Sequence, residues 1–312
     1  MHQKNYLMNK EVYVAKKKIS VGTWAYIWGG YADKPIPFPT VVQRLAAMKF
    51  DGIEFGAFDP HYGPGDYTNR AKRLDIKKML DDHNLGISGI AGAFSGVPAL
   101  INPNDYIDQV KRQIEVCLDM GIPKLRVDTN APPTEIPGGL DYETCFWRYA
   151  YVWHRAAEVC AQNGIKLIWE FEPGFLFNKP SEVARLCYAV DHANFGVLFD
   201  SCHAYMCAVM ASRQMGEKET LPGGVVQFAH MLTGKISHVH FIDSDGTLHG
   251  EETSTHAPFG QGVLDFPSIV KALYDAGYTD EWWPIDLCFW EGALEATAPA
   301  KKFMDDLAAK YG

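Results

Sequence analysis

The stretches IKLIWEFEP (165–173) and FGVLFDSCH (195–203) decide the fold. Each is a short run of almost wholly apolar residues that ends abruptly in acids or a histidine. A strand that faces water on one side alternates apolar and polar residues, whereas a strand of a parallel sheet is covered on both faces and reads as continuously apolar. Six further runs of this kind stand in the chain: Ile19–Thr23, Gly52–Ala57, Gly86–Ala91, Lys124–Asp128, Ile236–Ile242 and Trp282–Leu287. Successive runs begin roughly 30 to 46 residues apart. Helical spacing of apolar residues fills intervals between them, at Val41–Met48, Ile76–Leu80, Ile107–Leu118, Tyr149–Cys160 and Ile269–Leu273. Glycines close these helices before the next strand, as in Met120-Gly121 and Asn163-Gly164. Strand then helix, eight times over, predicts an α/β chain folded as a single-domain (β/α)₈ TIM barrel. An open doubly wound sheet shares the alternation, but no GxGxxG or GxxxxGK follows the first run.

Composition agrees and narrows the function. The chain has 312 residues, 47% hydrophobic and 21% charged, enough to bury a core without staples. No Gly/Ser- or Pro-rich linker divides it, so the barrel is expected over residues 18–312, with residues 1–17 as a polar, basic N-terminal extension. The N-terminus has no apolar segment with a small-residue cleavage site, and secretion is not expected. Seven cysteines, an odd number without CxxC spacing, fit free thiols in the reducing cytoplasm. No run of about 18 apolar residues exists to span a membrane. A net charge of −9 and a lone Lys16–Lys18 cluster argue against nucleic acid as a partner.

In such a barrel, chemistry collects at the C-terminal ends of the strands. Four consecutive runs carry Glu170, Asp200, His240 and Asp286 there. Side chains from adjacent staves converge, and three crowded carboxylates repel one another unless a cation neutralises them. Three oxygens and one nitrogen suit Mn²⁺, with Mg²⁺, Co²⁺ or Zn²⁺ as alternatives. Glu170 and Glu172 face the same way, as do His238 and His240, so register alone does not choose within either pair. His238 is assigned the buried role that a lone histidine usually takes.

This set resembles the xylose-isomerase-like TIM-barrel superfamily of sugar isomerases and epimerases, which also holds the AP endonuclease 2-like proteins. The resemblance rests on the Glu of LIWEFEP, the Asp and His of LFDSCH, the second His of HVHFID, the acid of PIDLCFW and the loop HAPFGQGVLDF (256–266). It implies Glu170, Asp200, His240 and Asp286 as metal ligands, with Glu170, Asp286 and Glu172 as the groups that move protons. That superfamily usually has Glu on the eighth strand, where this chain has the shorter Asp286. His203 corresponds to a substrate-contacting histidine; His61, His256 and Trp24 are further candidates for substrate contact. The implied reaction is removal of a proton α to the carbonyl of a keto sugar, with return to the other carbon (isomerisation) or to the other face (epimerisation). Where a leaving group lies β to the carbonyl, elimination results instead, as in inosose dehydratases or in C-glycoside deglycosidases acting on 3-keto glycosides with a small β-rich partner subunit. Aromatic residues near the expected mouth, among them Trp24, Trp28, Phe58, Phe175, Phe289 and Trp290, suit a sugar or a flat aglycone. By analogy with the superfamily, a homo-oligomer is expected. Two readings compete: a DNA-repair endonuclease, since LFDSCHAY also resembles the endonuclease IV family, and a non-catalytic sugar-binding barrel. The first lacks a His or acid in GIAGAFSG after the third run; the second would not keep four ligands on four strands.

Overall fold

All eight apolar runs become strands of one barrel in the computed structural model, which describes residues 16–94 and 99–312. The barrel strands are β1 (Lys18–Val21), β2 (Gly52–Gly56), β3 (Gly86–Ala91), β4 (Lys124–Val127), β5 (Lys166–Glu170), β6 (Phe195–Asp200), β7 (Ile236–His240) and β10 (Trp282–Ile285). β2 to β7 pair in chain order and in parallel. β1 pairs in parallel with β10, and single bridges from Gly22 to Glu54 and from Phe241 to Ile285 close the ring. Of the extension expected over residues 1–17, residues 1–15 lie outside the described residues; Lys17 is buried, and its Nζ donates to the Asp280 carbonyl at 2.9 Å.

Helices α1 (Phe38–Ala47), α2 (Pro64–Tyr67), α3 (Arg70–Asp82), α4 (Pro103–Met120), α5 (Tyr142–Gln162), α6 (Pro180–Val190), α7 (Ser201–Ala208), α8 (Gly224–Met231), α9 (Phe266–Asp275) and α10 (Ala293–Tyr311) fill the connections. Their starts follow ordinary capping chemistry. Asp141 accepts from the Thr144 amide at 2.9 Å ahead of α5, and Asp200 accepts from the His203 amide at 2.7 Å ahead of α7. Gly121 ends α4 at φ 70°, where a side chain would be strained.

The apolar core lies mainly between the strands and this helical coat. Val152 and Trp153 of α5, Leu186 of α6 and Phe228 of α8 are fully buried there. The inside of the barrel is different, because alternate residues of its strands are polar: Ser20, Glu54, Ser88, Lys124, Arg126, His238 and His240. Six of these seven are almost inaccessible, and Arg126 is only partly exposed.

One element is absent from the strand count made on sequence. After β7 the chain forms an antiparallel hairpin, β8 (Asp243–His249) and β9 (Thr253–Ala257), which stands outside the barrel sheet. Its strands read DSDGTLH and TSTHA, almost wholly polar, and so carry little apolar signal. Among the described residues no helix is long and apolar enough to cross a membrane.

The helical coat predicts its own test. Phe228 packs on Phe171 and Phe199 with ring centroids 4.9 and 5.8 Å away. Phe228→Ala is expected to cost about 3–5 kcal/mol, seen as a lower urea midpoint with an unchanged slope.

Candidate metal centre and active site

Four side chains meet at the C-terminal mouth of the barrel. Glu170, Asp200 and His240 are the last residues of β5, β6 and β7, and Asp286 follows β10 directly. Register sets Asp200 beside His240. One donor atom from each of the four lies within 4.8 Å of the others, and all four residues are buried. His240 Nδ1 stands 3.0 Å from Glu170 Oε1, 3.4 Å from Asp286 Oδ2 and 4.0 Å from Asp200 Oδ2.

The far sides of these groups are occupied. Arg126 Nη1 holds Glu170 Oε2 at 2.5 Å and forks onto Asp128 at 3.0 and 3.1 Å. Asp286 Oδ1 accepts from the Trp24 indole at 2.8 Å and from the Cys288 amide at 2.9 Å. His240 Nε2 lies 3.1 Å from Glu54 Oε1. The near sides face one another: Glu170 Oε1, Asp200 Oδ2 and His240 Nδ1 are buried, and apart from the close approach of His240 to the acids they make no hydrogen bond. Orphaned buried acceptors converging on one point are the signature of a cation site. Three hard oxygens and an imidazole, each oriented from behind, fit a divalent metal. Two neighbouring groups also have metal-compatible spacing. In Glu54–His238–His240 the acids and imidazoles already bond to each other. In Asp200–Cys202–His256 the thiol is committed to the Thr255 carbonyl at 3.3 Å.

Crowding shows in the protonation of the site. Burial pushes Asp200 up to about 7; His256 pulls the other way, but Asp286 and Glu170 push further up. Burial also opposes the charge of Glu170, yet Arg126 and His240 outweigh it and bring that carboxyl down to about 2. His240 is held well above its usual range, because Glu54 and Glu170 overcome its burial. A divalent cation bound among these groups would take the place of the protons so retained on Asp200 and His240.

Beside these four residues a cavity of about 520 Å³ opens to solvent. Its lining includes the polar Arg126, Asp128, Glu172 and His203 and the aromatic Trp24, Trp28, Phe58 and Phe289. Glu172 accepts from the Thr253 hydroxyl, and burial lifts its carboxyl to about 7. His203 Nδ1 lies 2.8 Å from Ser254 Oγ and its Nε2 3.7 Å from Glu172 Oε2; burial and the neighbouring His256 push it down to about 3, so it is neutral. His256, on β9, is 3% exposed; its Nδ1 lies 3.5 Å from Asp286 Oδ1, and neither ring nitrogen makes a well-aligned hydrogen bond. Burial disfavours its charge, but Asp286 and Asp200 prevail and lift it to about 9. Trp24 lines the cavity while its indole N–H is spent on Asp286. His61 is placed elsewhere: it packs on Phe38 and its Nε2 meets the Ile36 carbonyl at 2.6 Å, outside the cavity lining.

Comparison with known proteins agrees with this fold. Residues 42–307 match the profile of the family described as xylose isomerase-like TIM barrel. The chain belongs to the xylose isomerase-like TIM barrel family. It is similar to the 2-oxo-tetronate isomerase of Pectobacterium atrosepticum, at 22% identity over 240 residues, 74% of this chain and 82% of that one. It is equally similar to the inosose dehydratase of Erwinia tasmaniensis, at 22% identity over 262 residues, 77% of this chain and 79% of that one. Among solved structures, an IolI protein with a bound zinc atom superposes with a TM-score of 0.71 at 18% identity, covering 95% of this chain and 99% of that one. A D-psicose 3-epimerase determined in the presence of D-fructose gives 0.70 at 15% identity, covering 93% and 99%. At these identities the structural likeness establishes the fold.

Within this family member, sequence reasoning passed over three residues of the site. Glu54 is the one charge of the apolar run GIEFG, and Arg126 stands two residues after Lys124 in KLRV, on the same side of the strand; those placements were the available signal. Thr253 belongs to the hairpin, whose fold the sequence did not announce.

The charge balance yields a stability test. Mn²⁺ at about 100 times its dissociation constant should stabilise the chain by about 2.7 kcal/mol, measured by thermal unfolding with and without chelator. Asp200→Asn should abolish that gain. It should also leave the metal-free melting temperature equal or higher, because one of three repelling acids is gone while the acceptor for the His203 amide is kept.

Proposed function

We propose that this chain is a divalent-metal-dependent enzyme that moves a proton at the carbon next to the carbonyl of a keto sugar or related polyol, giving isomerisation or epimerisation. The observation that carries the reading is the convergence of donor atoms from Glu170, Asp200, His240 and Asp286, the first three buried without a hydrogen bond, beside an accessible cavity with polar and aromatic lining. Similar proteins named as a 2-oxo-tetronate isomerase and a D-psicose 3-epimerase support it. Mn²⁺ is the proposed ion, with Mg²⁺, Co²⁺ and Zn²⁺ as alternatives; the zinc atom of the IolI structure supports the divalent class. When bound, such an ion supplies a positive charge that polarises a substrate carbonyl and offsets the negative charge left by the departing proton.

The protein's own groups divide the remaining work. Glu170 and Asp286 are pinned from behind by Arg126 and Trp24, which suits them to hold a cation rather than to swing. Glu172 has one oxygen on Thr253 and leaves Oε1 to a ligand in the cavity, so it is the proposed proton acceptor. His203 and His256 face the same space and can donate to substrate hydroxyls. Trp24 is proposed to act on substrate only through its ring face, and His61 has no proposed contact. Seven unpaired cysteines support the cytoplasm as the setting, and a homo-oligomer is the proposed assembly.

A second reading has an observation of its own. A further cavity of about 480 Å³ adjoins the first and shares His249, His256, Cys288 and Phe289 with it. That space suits an aglycone, and the similarity to inosose dehydratase suits elimination. The alternative is therefore β-elimination from a 3-keto glycoside or an inosose, with a small β-rich partner subunit as part of the glycoside case.

Proton NMR in D₂O separates these readings. With Mn²⁺ and a ketose, the proposal expects chelator-sensitive deuterium uptake at the carbon next to the carbonyl. Aglycone or water loss from a 3-keto glycoside or inosose would favour elimination, and no exchange with any of them would sink both. Glu172→Gln should slow exchange by about 10²–10⁴-fold while keeping Mn²⁺. Glu170→Gln should lose exchange and Mn²⁺ together; near-normal turnover in Glu170→Gln would remove Glu170 from the proposed metal site.

A further inference from the structure

Beneath the four ligands a second polar layer crosses the barrel. Glu54 of β2 is 0% exposed and forks between two imidazoles. Its Oε1 lies 3.1 Å from His240 Nε2, and its Oε2 lies 2.9 Å from His238 Nε2. The Ser88 hydroxyl donates to the same Oε2 at 3.1 Å. On the far side of His238, Lys124 Nζ stands 3.1 Å from Nδ1 and 2.9 Å from Asp280 Oδ1. Asp280 and Lys124 border a cleft at the opposite end of the barrel from the cavity, where the strands begin. A chain of five groups, Asp280–Lys124–His238–Glu54–His240, thus runs from one face of the barrel to the metal centre.

Donor and acceptor rules fix the sense of every link. An ammonium has only protons to give, so His238 Nδ1 must accept. The other nitrogen of His238 then carries hydrogen and donates to Glu54. Glu54 has spent Oε2 on His238 and Ser88, and its Oε1 receives the Nε2–H of His240. With Nε2 bearing hydrogen, a neutral His240 presents a bare Nδ1 lone pair towards Glu170, Asp200 and Asp286. Strand geometry makes the chain feasible. His238 and His240 are two residues apart on β7 and both point inward, with ring centroids 5.7 Å apart, and Glu54 on β2 reaches the gap from across the barrel.

We propose that Glu54 and, through His238, Lys124 are positioning residues that set the affinity of the metal centre by fixing the tautomer and ring orientation of His240. The inference rests on the metal reading above, but it assigns metal affinity to residues that touch neither metal nor substrate. Carboxylates behind ligand histidines are worth about 10–100-fold in affinity. Lys124 acts one link further away.

The test uses the full chain and Mn²⁺, with no sugar. Mn²⁺ dissociation constants are measured by electron paramagnetic resonance for the wild type, Glu54→Gln, Glu54→Asp and Lys124→Met. Glu54→Gln is expected to weaken binding about 10–100-fold, and Lys124→Met to weaken it by a smaller factor; Glu54→Asp should recover part of the loss. Long-range ¹⁵N–¹H spectra of the Zn²⁺-loaded wild type should show hydrogen on Nε2 of both His238 and His240. In Lys124→Met, His238 should gain an Nδ1–H population, a change that a merely space-filling lysine would not cause. Wild-type Mn²⁺ affinity in a folded Glu54→Gln, or an Nδ1–H tautomer of His238 in the wild type, overturns the inference. If Glu54→Gln fails to fold, the Lys124→Met affinity and the wild-type spectra decide it alone. A wild type that binds neither Mn²⁺ nor Zn²⁺ overturns the metal reading and this inference together. Metal binding of the expected pattern without exchange into any sugar overturns only the proposed reaction.

Discussion

Three carboxylates kept out of water within a few ångströms of one another are the constraint on which this structure turns. Such a set is unstable unless positive charge stands among it and each acid is fixed from behind. The chain meets both needs with separate residues. Arg126 takes the rear oxygen of Glu170, Trp24 and a backbone amide take that of Asp286, and the first turn of α7 takes that of Asp200. What is left facing inward is a ring of unsatisfied acceptors around one point.

That ring dictates the character of the barrel below it. A barrel of this size is ordinarily filled by branched apolar side chains. Here the interior carries a carboxylate, two imidazoles, an ammonium and two hydroxyls that bond to one another. The apolar free energy of folding must then come chiefly from the contact between strands and helices, where Trp153, Leu186 and Phe228 are buried. Division of labour follows: the outer layer stabilises, and the inner layer orients.

At the mouth, loops from distant parts of the chain are drawn together. Trp28 of the first connection, Phe289 of the last and His249 of the hairpin form a column of nearly parallel rings, with centroids 5.1 and 4.7 Å apart. Gly29 and Gly30 admit this approach, since a side-chain carbon on either would meet the backbone of Phe289 or Glu291 within 2.4 Å. The aromatic lining of the cavity therefore comes largely from loop contacts, and much of its charged lining from strand ends and the residues that follow them.

Much of this was legible in the residues. Continuity of the apolar runs determined the parallel barrel, because only burial on both faces tolerates it. The acids and imidazole at successive run ends indicated which side chains would meet, because equivalent positions on neighbouring staves must converge. Sequence could not choose between Glu170 and Glu172, or between His238 and His240, since period two sends both members of each pair the same way. The tertiary structure separates them by depth: Glu170 and His240 reach the cluster, Glu172 turns to the cavity, and His238 lies a layer below. It alone also paired Glu54 with β7 and Arg126 with Glu170, contacts spanning up to 186 residues of chain. The hairpin and the displacement of His61 from the cavity were likewise decided in three dimensions. Local pattern records which side of a strand faces the core; which charges meet there is set by ring closure and register, and no short window of sequence contains either.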